Sequence, residues 1–318
     1  MISKDPAELL AAARTGSRTA LARLVTMVES GGPVMRAAAA LIYRSEPAYV
    51  VGITGPPGAG KSTLTDRLIT SGLVRGALGD VTFDQLGILC IDPSSPFTGG
   101  AILGDRIRMQ EHATNDHVFI RSMATRGNLG GLSLAVPDAL RVLGASGFPL
   151  AVVETVGVGQ MEVDIASAAD TTVVVTNPGW GDSMQANKAG LLEVADIFVI
   201  NKADRAGIRE TRRDLESMLD LGGERAWRPP ILETTATDGS GTEALWDAIA
   251  EHRAHQVTSG DLSTRRRERT RRELAKVLGA QVSARIVDLS HGEDYEAQVN
   301  RLLAGESDPY SSAEILLR

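Results

Sequence analysis

The chain has 318 residues, of which 43% are hydrophobic, and carries a formal net charge of −7. This length favours one large α/β domain with helical additions, and the acidic balance argues against a nucleic-acid backbone as the main partner. No apolar run approaches the roughly 18 residues of a membrane span, and the N-terminus does not read as a signal peptide, so we expect a cytoplasmic protein without a membrane partner.

Residues 1–45 are predicted to form an N-terminal helical extension. Asp5-Pro6 starts a helix, and apolar residues from Leu9 to Val28 recur at three- and four-residue intervals. The stretch from Ala37 to Ile42 continues in the same manner. Because this segment precedes the first predicted strand, we expect it to pack on the central domain without joining its sheet.

Strands and helices are predicted to alternate from residue 46 to residue 256. The strands are short, apolar and rich in Val and Ile, so both faces should be covered in a mainly parallel sheet with helices on each side. Cys90, the only cysteine, is expected to be a core thiol. Ligands of such sheets bind beyond the carboxyl ends of the strands. The predicted strands are Val50–Thr54, Gly87–Asp92, Val118–Ser122, Leu150–Glu154, Thr171–Thr176, Ile197–Asn201 and Ile231–Thr235, with helices at Thr63–Leu73, Leu132–Leu143, Gln185–Ala195 and Thr242–His252.

The first predicted strand runs into a phosphate-binding loop pattern, Gly-Pro-Pro-Gly-Ala-Gly-Lys-Ser, at residues 55–62. Glycines let backbone N–H groups turn onto a polyphosphate, and the following helix adds its positive end. Lys61 is predicted to reach the β- and γ-phosphate oxygens, and the Ser62 hydroxyl to bind Mg²⁺. The alternative is a glycine-rich turn that binds no ligand. The predicted nucleotide contacts here are Gly58, Ala59, Gly60, Lys61, Ser62 and Thr63.

The sixth predicted strand ends in Asn201-Lys202-Ala203-Asp204, a pattern typical of guanine recognition. The Asp204 carboxylate can accept hydrogen bonds from guanine N1 and its exocyclic amine, which adenine cannot supply. Asn201 can reach N7 and fix the loop, while the Lys202 stem can lie over the base. Thr235-Ala236-Thr237 lies near the end of the next strand and stands where GTPases often have Ser-Ala-Lys, whose backbone contacts guanine. GTP and GDP are therefore the predicted ligands.

Two acidic strand ends compete for the metal. Glu154 begins a run, Glu-Thr-Val-Gly, that resembles the Asp-x-x-Gly switch motif; Gly157 would bond the γ-phosphate and Glu154 would hold a water on Mg²⁺. Asp92 precedes a segment rich in Ser and Gly that reaches Asp105, which favours a mobile switch loop with metal ligands. A turn or helix-capping aspartate is the alternative for Asp92.

Two histidines, His252 and His255, share a predicted helical face but lack the companion ligands of a zinc site. Trp227 and Trp246 are interpreted as packing residues, whereas Trp180, between two glycines, is a candidate for contact with a partner.

Residues 257–318 are predicted to form a C-terminal helical arm. The arginine-rich run near Arg265 opens a helix with apolar Leu274, Val277 and Leu278, and glutamates among the arginines favour a solvated face over a nucleic-acid site. The arm has too few predicted strands to form a core of its own. We therefore expect it to bury its apolar side in a dimer, with packing on its own domain as the alternative.

Together these motifs resemble the MeaB/ArgK family of methylmalonyl-CoA mutase-associated GTPases, in the class of metallochaperone-like P-loop GTPases. The resemblance covers nearly the whole chain. It rests on residues 55–63, 91–96, 99–106, 154–160, 178–190, 201–204 and 304–310.

The resemblance implies a homodimer that hydrolyses GTP and thereby gates adenosylcobalamin delivery to, or retention in, methylmalonyl-CoA mutase. It places Asp92, Asp105 and Glu154 around Mg²⁺. It also makes Gly179–Lys188 a further switch that contacts the mutase. Met161 stands where the family usually has serine, and Ser183-Met184 where an acid and an aliphatic residue are common.

The attacking water has no obvious partner in the switch motif. Small signalling GTPases place a glutamine directly after the motif's glycine, and this chain has Val158 there. Gln160 and Lys188 are the candidates for this role, so the predicted catalytic residues are Lys61, Glu154, Gln160 and Lys188. Because neither candidate is certain to reach the water, we expect slow GTP hydrolysis by the isolated protein.

Two other functions fit a phosphate-binding loop. A P-loop kinase acting on a transport protein is disfavoured by the guanine motif, since kinases mostly use ATP. A nickel-type metallochaperone GTPase would need a His-rich tract or paired cysteines, and the sequence has neither.

Overall fold

The computed structural model describes residues 3–92, 109–112, 114–124, 135–155, 161–179, 190, 193–221, 223 and 225–317. Within these ranges the strands are β1 (Tyr49–Thr54), β2 (Ala77–Leu78), β3 (Val81–Thr82), β4 (Leu86–Asp92), β5 (Val118–Ala124), β6 (Leu150–Thr155), β7 (Thr171–Thr176), β8 (Ile197–Asn201) and β9 (Ile231–Thr234). The α-helices of the same ranges are α1 (Pro6–Arg14), α2 (Arg18–Ser30), α3 (Gly32–Ile42), α4 (Lys61–Arg75), α5 (Ala135–Ala145), α6 (Met161–Ala168), α7 (Ile208–Leu221), α8 (Thr242–Ser259), α9 (Asp261–Leu289), α10 (Glu293–Leu303) and α11 (Pro309–Leu316).

Seven strands form one parallel sheet in the order β5-β4-β6-β1-β7-β8-β9. The phosphate-loop strand β1 lies in the middle, paired with β6 and β7. All seven predicted strands are present; the five inner strands are buried at every residue, whereas the edge strands β5 and β9 are only partly buried. The prediction of a mainly parallel α/β sheet with flanking helices is confirmed. The small antiparallel hairpin β2–β3 and the helices α6 and α7 were not predicted.

Helices cover both faces of this sheet. On one face α1, α2, α3 and α5 share a core that includes Leu24 and Phe148, both almost fully buried. On the other face α4 and α8 enclose Trp246, whose indole N–H donates to the Leu68 carbonyl oxygen at 3.2 Å. Cys90 is fully buried in this second core, as predicted. The helices therefore hold β1 between two packed layers.

Two buried aspartates tie the amino ends of the central strands together. Asp170 accepts a hydrogen bond from a β1 backbone N–H at 3.0 Å, and Asp196 accepts one from β7 at 2.8 Å. Arg266 donates to Asp170 at 2.9 Å and Arg265 to Asp196 at 2.9 Å. Burial raises the pKa of Asp196 to about 6, and the attraction of Arg265 opposes this rise. The first turns of α9 are thus bonded to the sheet.

His252 belongs to the same polar cluster. Its Nδ1 lies 2.8 Å from the Thr171 hydroxyl oxygen and its Nε2 lies 3.3 Å from Asp196 Oδ1. Burial lowers the pKa of His252 to about 3, so the ring is neutral at physiological pH. Trp227 stacks at a tilt on this ring, 4.9 Å between centroids, and donates its indole N–H to the Asp196 backbone carbonyl. Both side chains are packing residues here.

Residues Glu268–Arg318 form a second compact unit, which contains most of α9 and all of α10 and α11. Helix α9 buries none of its residues. Leu274, Leu278, Val282 and Ile286 follow one another at four-residue spacing along it, each at least half exposed. Helices α10 and α11 pack on each other. None of the described helices is long and apolar enough to cross a membrane.

Candidate nucleotide site

The carboxyl ends of β1, β4, β6, β8 and β9 meet at one edge of the sheet, because these strands are parallel. This edge is the usual binding side of such sheets. It collects the phosphate loop after β1, Asp92 at the end of β4, Glu154 near the end of β6 and the loops after β8 and β9.

The phosphate loop depends on glycines with left-handed backbone. Gly58 and Gly60 have φ of 76° and 91°, values that other residues seldom adopt. Helix α4 starts directly at Lys61, with no side-chain cap on its first N–H groups. These N–H groups and the helix dipole make the loop suited to a phosphate. Ala59 is buried, while Thr63 lies exposed in the first turn.

The Lys61 side chain is buried inside this loop. Its ammonium donates to the carbonyl oxygens of Gly55 at 2.7 Å and Pro56 at 3.0 Å. These bonds hold a positive charge at the loop. A phosphate chain placed in the loop would offer stronger, charged acceptors to the same ammonium.

Ser62 and Glu154 are in direct contact. The Ser62 hydroxyl donates to Glu154 Oε1 at 2.5 Å, and both side chains are buried. Asp92 is also buried, and it lies two residues beyond Cys90, the register partner of Glu154 on β4. Both carboxylates therefore face the same side of the sheet. A set of hydroxyl and carboxylate oxygens is the donor chemistry that Mg²⁺ prefers, so these residues fit that ion.

Asn201 joins three loops. Its amide nitrogen donates to the Ala59 carbonyl oxygen at 2.8 Å, and its amide oxygen accepts from the Ala236 N–H at 3.1 Å. The Thr234 hydroxyl donates to the same oxygen at 3.1 Å, which fixes the orientation of the amide. Thr234 was not singled out from the sequence, because nothing distinguishes a threonine at a strand end before its partner is known.

The other guanine-motif residues lie around this junction. Lys202 has a left-handed φ of 61° and its ammonium donates to the Gly58 carbonyl oxygen at 2.6 Å. The Asp204 carboxylate is exposed at the same edge. Thr235 and Thr237 flank the buried Ala236 in the loop after β9. The phosphate loop and the base-recognition loops are therefore bonded into one site.

Four predicted site residues, Gly157, Gln160, Lys188 and Asp105, lie outside the described residues. The same holds for Val158, for Trp180 and for Ser183-Met184.

Together the central strand, the phosphate loop and the Asn-Lys-Ala-Asp loop define the class of the protein: it is a P-loop GTPase. The family model described as Methylmalonyl Co-A mutase-associated GTPase MeaB matches residues 21–290. The chain belongs to the MeaB family.

Similar proteins agree with this class. A Pyrococcus abyssi protein named as a putative GTPase is 48% identical to this chain over 317 residues. The match covers 98% of this chain and 95% of that protein. The Escherichia coli GTPase ArgK is 35% identical over 83% of this chain and 81% of its own length. The mouse protein named Methylmalonic aciduria type A homolog, mitochondrial, is 31% identical over 95% of this chain and 76% of its own length. Among solved structures, LAO/AO transport system kinase matches with a TM-score of 0.70 at 26% identity, covering 99% of this chain and 97% of that one.

Proposed function

We propose that this GTPase serves methylmalonyl-CoA mutase in the cytoplasm, where GTP hydrolysis gates the loading or protection of adenosylcobalamin. The observation that carries the proposal is the match over residues 21–290 to a family described as mutase-associated. The name of the mouse relative, which refers to methylmalonic aciduria, also supports a role in methylmalonyl-CoA metabolism. The function requires that the nucleotide state of this chain alter its contact with the mutase.

We assign the phosphate chain to the loop from Gly58 to Thr63. Lys61 holds the β- and γ-phosphates, and Ser62, Asp92 and Glu154 hold Mg²⁺, with Asp105 as a further ligand implied by the family resemblance. When bound, Mg²⁺ would offset the negative charge of the phosphate oxygens. The hydrogen bond from Ser62 to Glu154 supports this assignment, because it brings a hydroxyl and a carboxylate together below the loop.

We assign the base to the loops after β8 and β9. Asn201 holds the two loops against the phosphate loop, and the exposed Asp204 carboxylate accepts from guanine N1 and the amine. The Lys202 stem lies against the base, and backbone groups of residues 235–237 complete the contact. A bound base that covers this carboxylate without supplying both donors would leave it unsatisfied, which is how the site rejects adenine.

Asp204→Asn tests the assignment of the base. The amide donates where the carboxylate accepted, so GTP affinity should fall at least about tenfold and affinity for xanthosine triphosphate should rise. Equilibrium binding of both nucleotides is the measurement. Asp238→Asn is the matched control, because this exposed aspartate in the next loop bonds to its own turn at Ser240. Equal binding of ATP and GTP by the unchanged protein would refute the assignment.

We propose that Gly157, Gln160 and Lys188 belong to the switches, and that Gly179–Lys188 contacts the mutase. The proposal for these residues rests on the family resemblance. Lys188→Ala should therefore weaken stimulation by the mutase more than it weakens GTP binding.

We further propose that the chain is a homodimer joined through its C-terminal helices. The exposed apolar side chains from Leu274 to Ile286 support this, since an uncovered stripe of this kind is unfavourable in water. A chain ending at Arg267 keeps the bonds of Arg265 and Arg266 to the sheet and should sediment as a monomer. A dimer of unchanged affinity would place the contact elsewhere.

Co-purification tests the whole proposal. The chain is mixed with methylmalonyl-CoA mutase in the presence of GDP or of a non-hydrolysable GTP analogue. We expect a complex whose stability differs between the two nucleotides. No complex in either state would contradict the proposal. Transfer of the γ-phosphate to a protein instead of water would favour the alternative function, a kinase, which is the activity in the name of the matched solved structure.

A further inference from the structure

Residues 109–112 lie against α4, the helix that follows the phosphate loop. Met109 is fully buried in the core beneath α4, and a short 3₁₀ turn at Gln110–His112 follows it. His112 is also buried, with 7% of its surface exposed. A histidine buried against the helix that carries Lys61 and Ser62 has no part in the nucleotide contacts assigned above.

The His112 ring faces the second turn of α4. Its Nε2 lies 3.4 Å from Asp66 Oδ1, 3.2 Å from the Asp66 carbonyl oxygen and 3.4 Å from the Thr70 hydroxyl. Asp66 is itself only 6% exposed, and burial raises the pKa of its carboxyl above the usual value. Among the described residues, Asp66 Oδ1 makes no hydrogen bond of good geometry, and the His112 ring lies beside it. The histidine thus contacts both the side chain and the backbone of this turn.

Asp66 lies four residues after Ser62, so the two side chains occupy the same face of α4, one turn apart. Ser62 is the residue that donates to Glu154. The turn that His112 contacts therefore lies directly after the turn that carries Ser62, on the same face of α4.

We propose that Asp66 and His112 are positioning residues that hold the Ser62 hydroxyl and Glu154 in place for Mg²⁺. The inference rests on the GTPase function and the metal ligands proposed above. Mg²⁺ accepts little departure from octahedral geometry, so a small shift of the first turn of α4 weakens its binding. Partners that orient metal ligands change affinity by about 10- to 100-fold when they are removed.

The test measures the magnesium requirement for nucleotide retention. The full-length protein is loaded with a fluorescent GDP analogue, and the Mg²⁺ concentration that half-maximally slows its release is determined. His112→Leu should raise this concentration at least about tenfold. His112→Gln, which can place an amide nitrogen near the position of Nε2, should restore most of the wild-type behaviour. His117→Leu is the matched control, because the ring of this exposed histidine forms a hydrogen bond with the Asp84 carbonyl oxygen and with no described residue of α4.

An unchanged magnesium requirement in His112→Leu, with a lower thermal midpoint, would overturn the inference and leave a packing role. If His112→Leu does not fold, Asp66→Asn decides the question, since it keeps the shape of the side chain. The same rise in Mg²⁺ requirement supports the inference and an unchanged requirement overturns it. A wild-type protein insensitive to Mg²⁺ would overturn this inference together with the metal ligands, whereas GDP binding in the same assay reports separately on the nucleotide site.

Discussion

Lys61→Ala is expected to lower kcat/KM for GTP hydrolysis by about 10²- to 10³-fold, the usual loss when one charge-stabilising donor is removed from an active site. The ammonium lies inside the phosphate loop, donating to the Gly55 and Pro56 carbonyl oxygens. Alanine removes the positive charge from the place where the β- and γ-phosphates are assigned. Steady-state hydrolysis and GTP binding measured together separate the loss of affinity from the loss of rate.

Lys202→Ala is the matched control. Its ammonium also contacts the loop, at the Gly58 carbonyl oxygen, but reaches it from the base-recognition side. We expect a loss of GTP affinity with little change in kcat. Equal effects of the two substitutions on kcat would contradict the assigned role of Lys61.

Gly60→Ala is expected to abolish most GTP binding and to lower the free energy of unfolding by about 1–3 kcal/mol. The residue has a φ of 91°, which strains any side chain. A Cβ there would also lie 2.3 Å from the Asn201 amide nitrogen. The substitution therefore forces apart the phosphate loop and the base loop at the point where Asn201 joins them.

Gly58→Ala separates these two causes. Gly58 has a similar φ of 76°, but a Cβ there would meet nothing within 4 Å. It should cost the backbone strain alone, so its loss of GTP affinity should be clearly smaller than that of Gly60→Ala. Chemical denaturation and GTP titration of both variants give the comparison. Equal losses of affinity would show that the contact with Asn201 does not matter.

Much of the fold could be predicted because its five inner strands are fully buried and rich in apolar residues. Strands β7 and β8 are confirmed with their predicted bounds. Helix α7 escaped prediction because only Thr211, Leu215 and Leu219 are buried along it, among many charged residues. The hairpin β2–β3 has two residues in each strand, too few for any periodic pattern.

The contacts within the site could not be predicted in the same way. The motifs located Asn201 and the phosphate loop, but the bond from Asn201 to Ala59 joins residues 142 positions apart. Such a contact depends on the order of the strands, which the motifs do not contain. The pairs Asp170–Arg266 and Asp196–Arg265 are likewise invisible in a sequence where the arginines belong to a long charged run.

Single-turnover GTP hydrolysis, with and without methylmalonyl-CoA mutase, tests the central claim most directly. Val158 follows the proposed switch glycine at the position where small signalling GTPases have a water-positioning glutamine, and absent charge-stabilising groups can cost about 10³–10⁵ in rate. We predict slow hydrolysis by the isolated protein and a clear acceleration on adding the mutase, with Lys61→Ala much slower than the unchanged protein in both conditions. Fast hydrolysis that does not respond to the mutase would contradict the account.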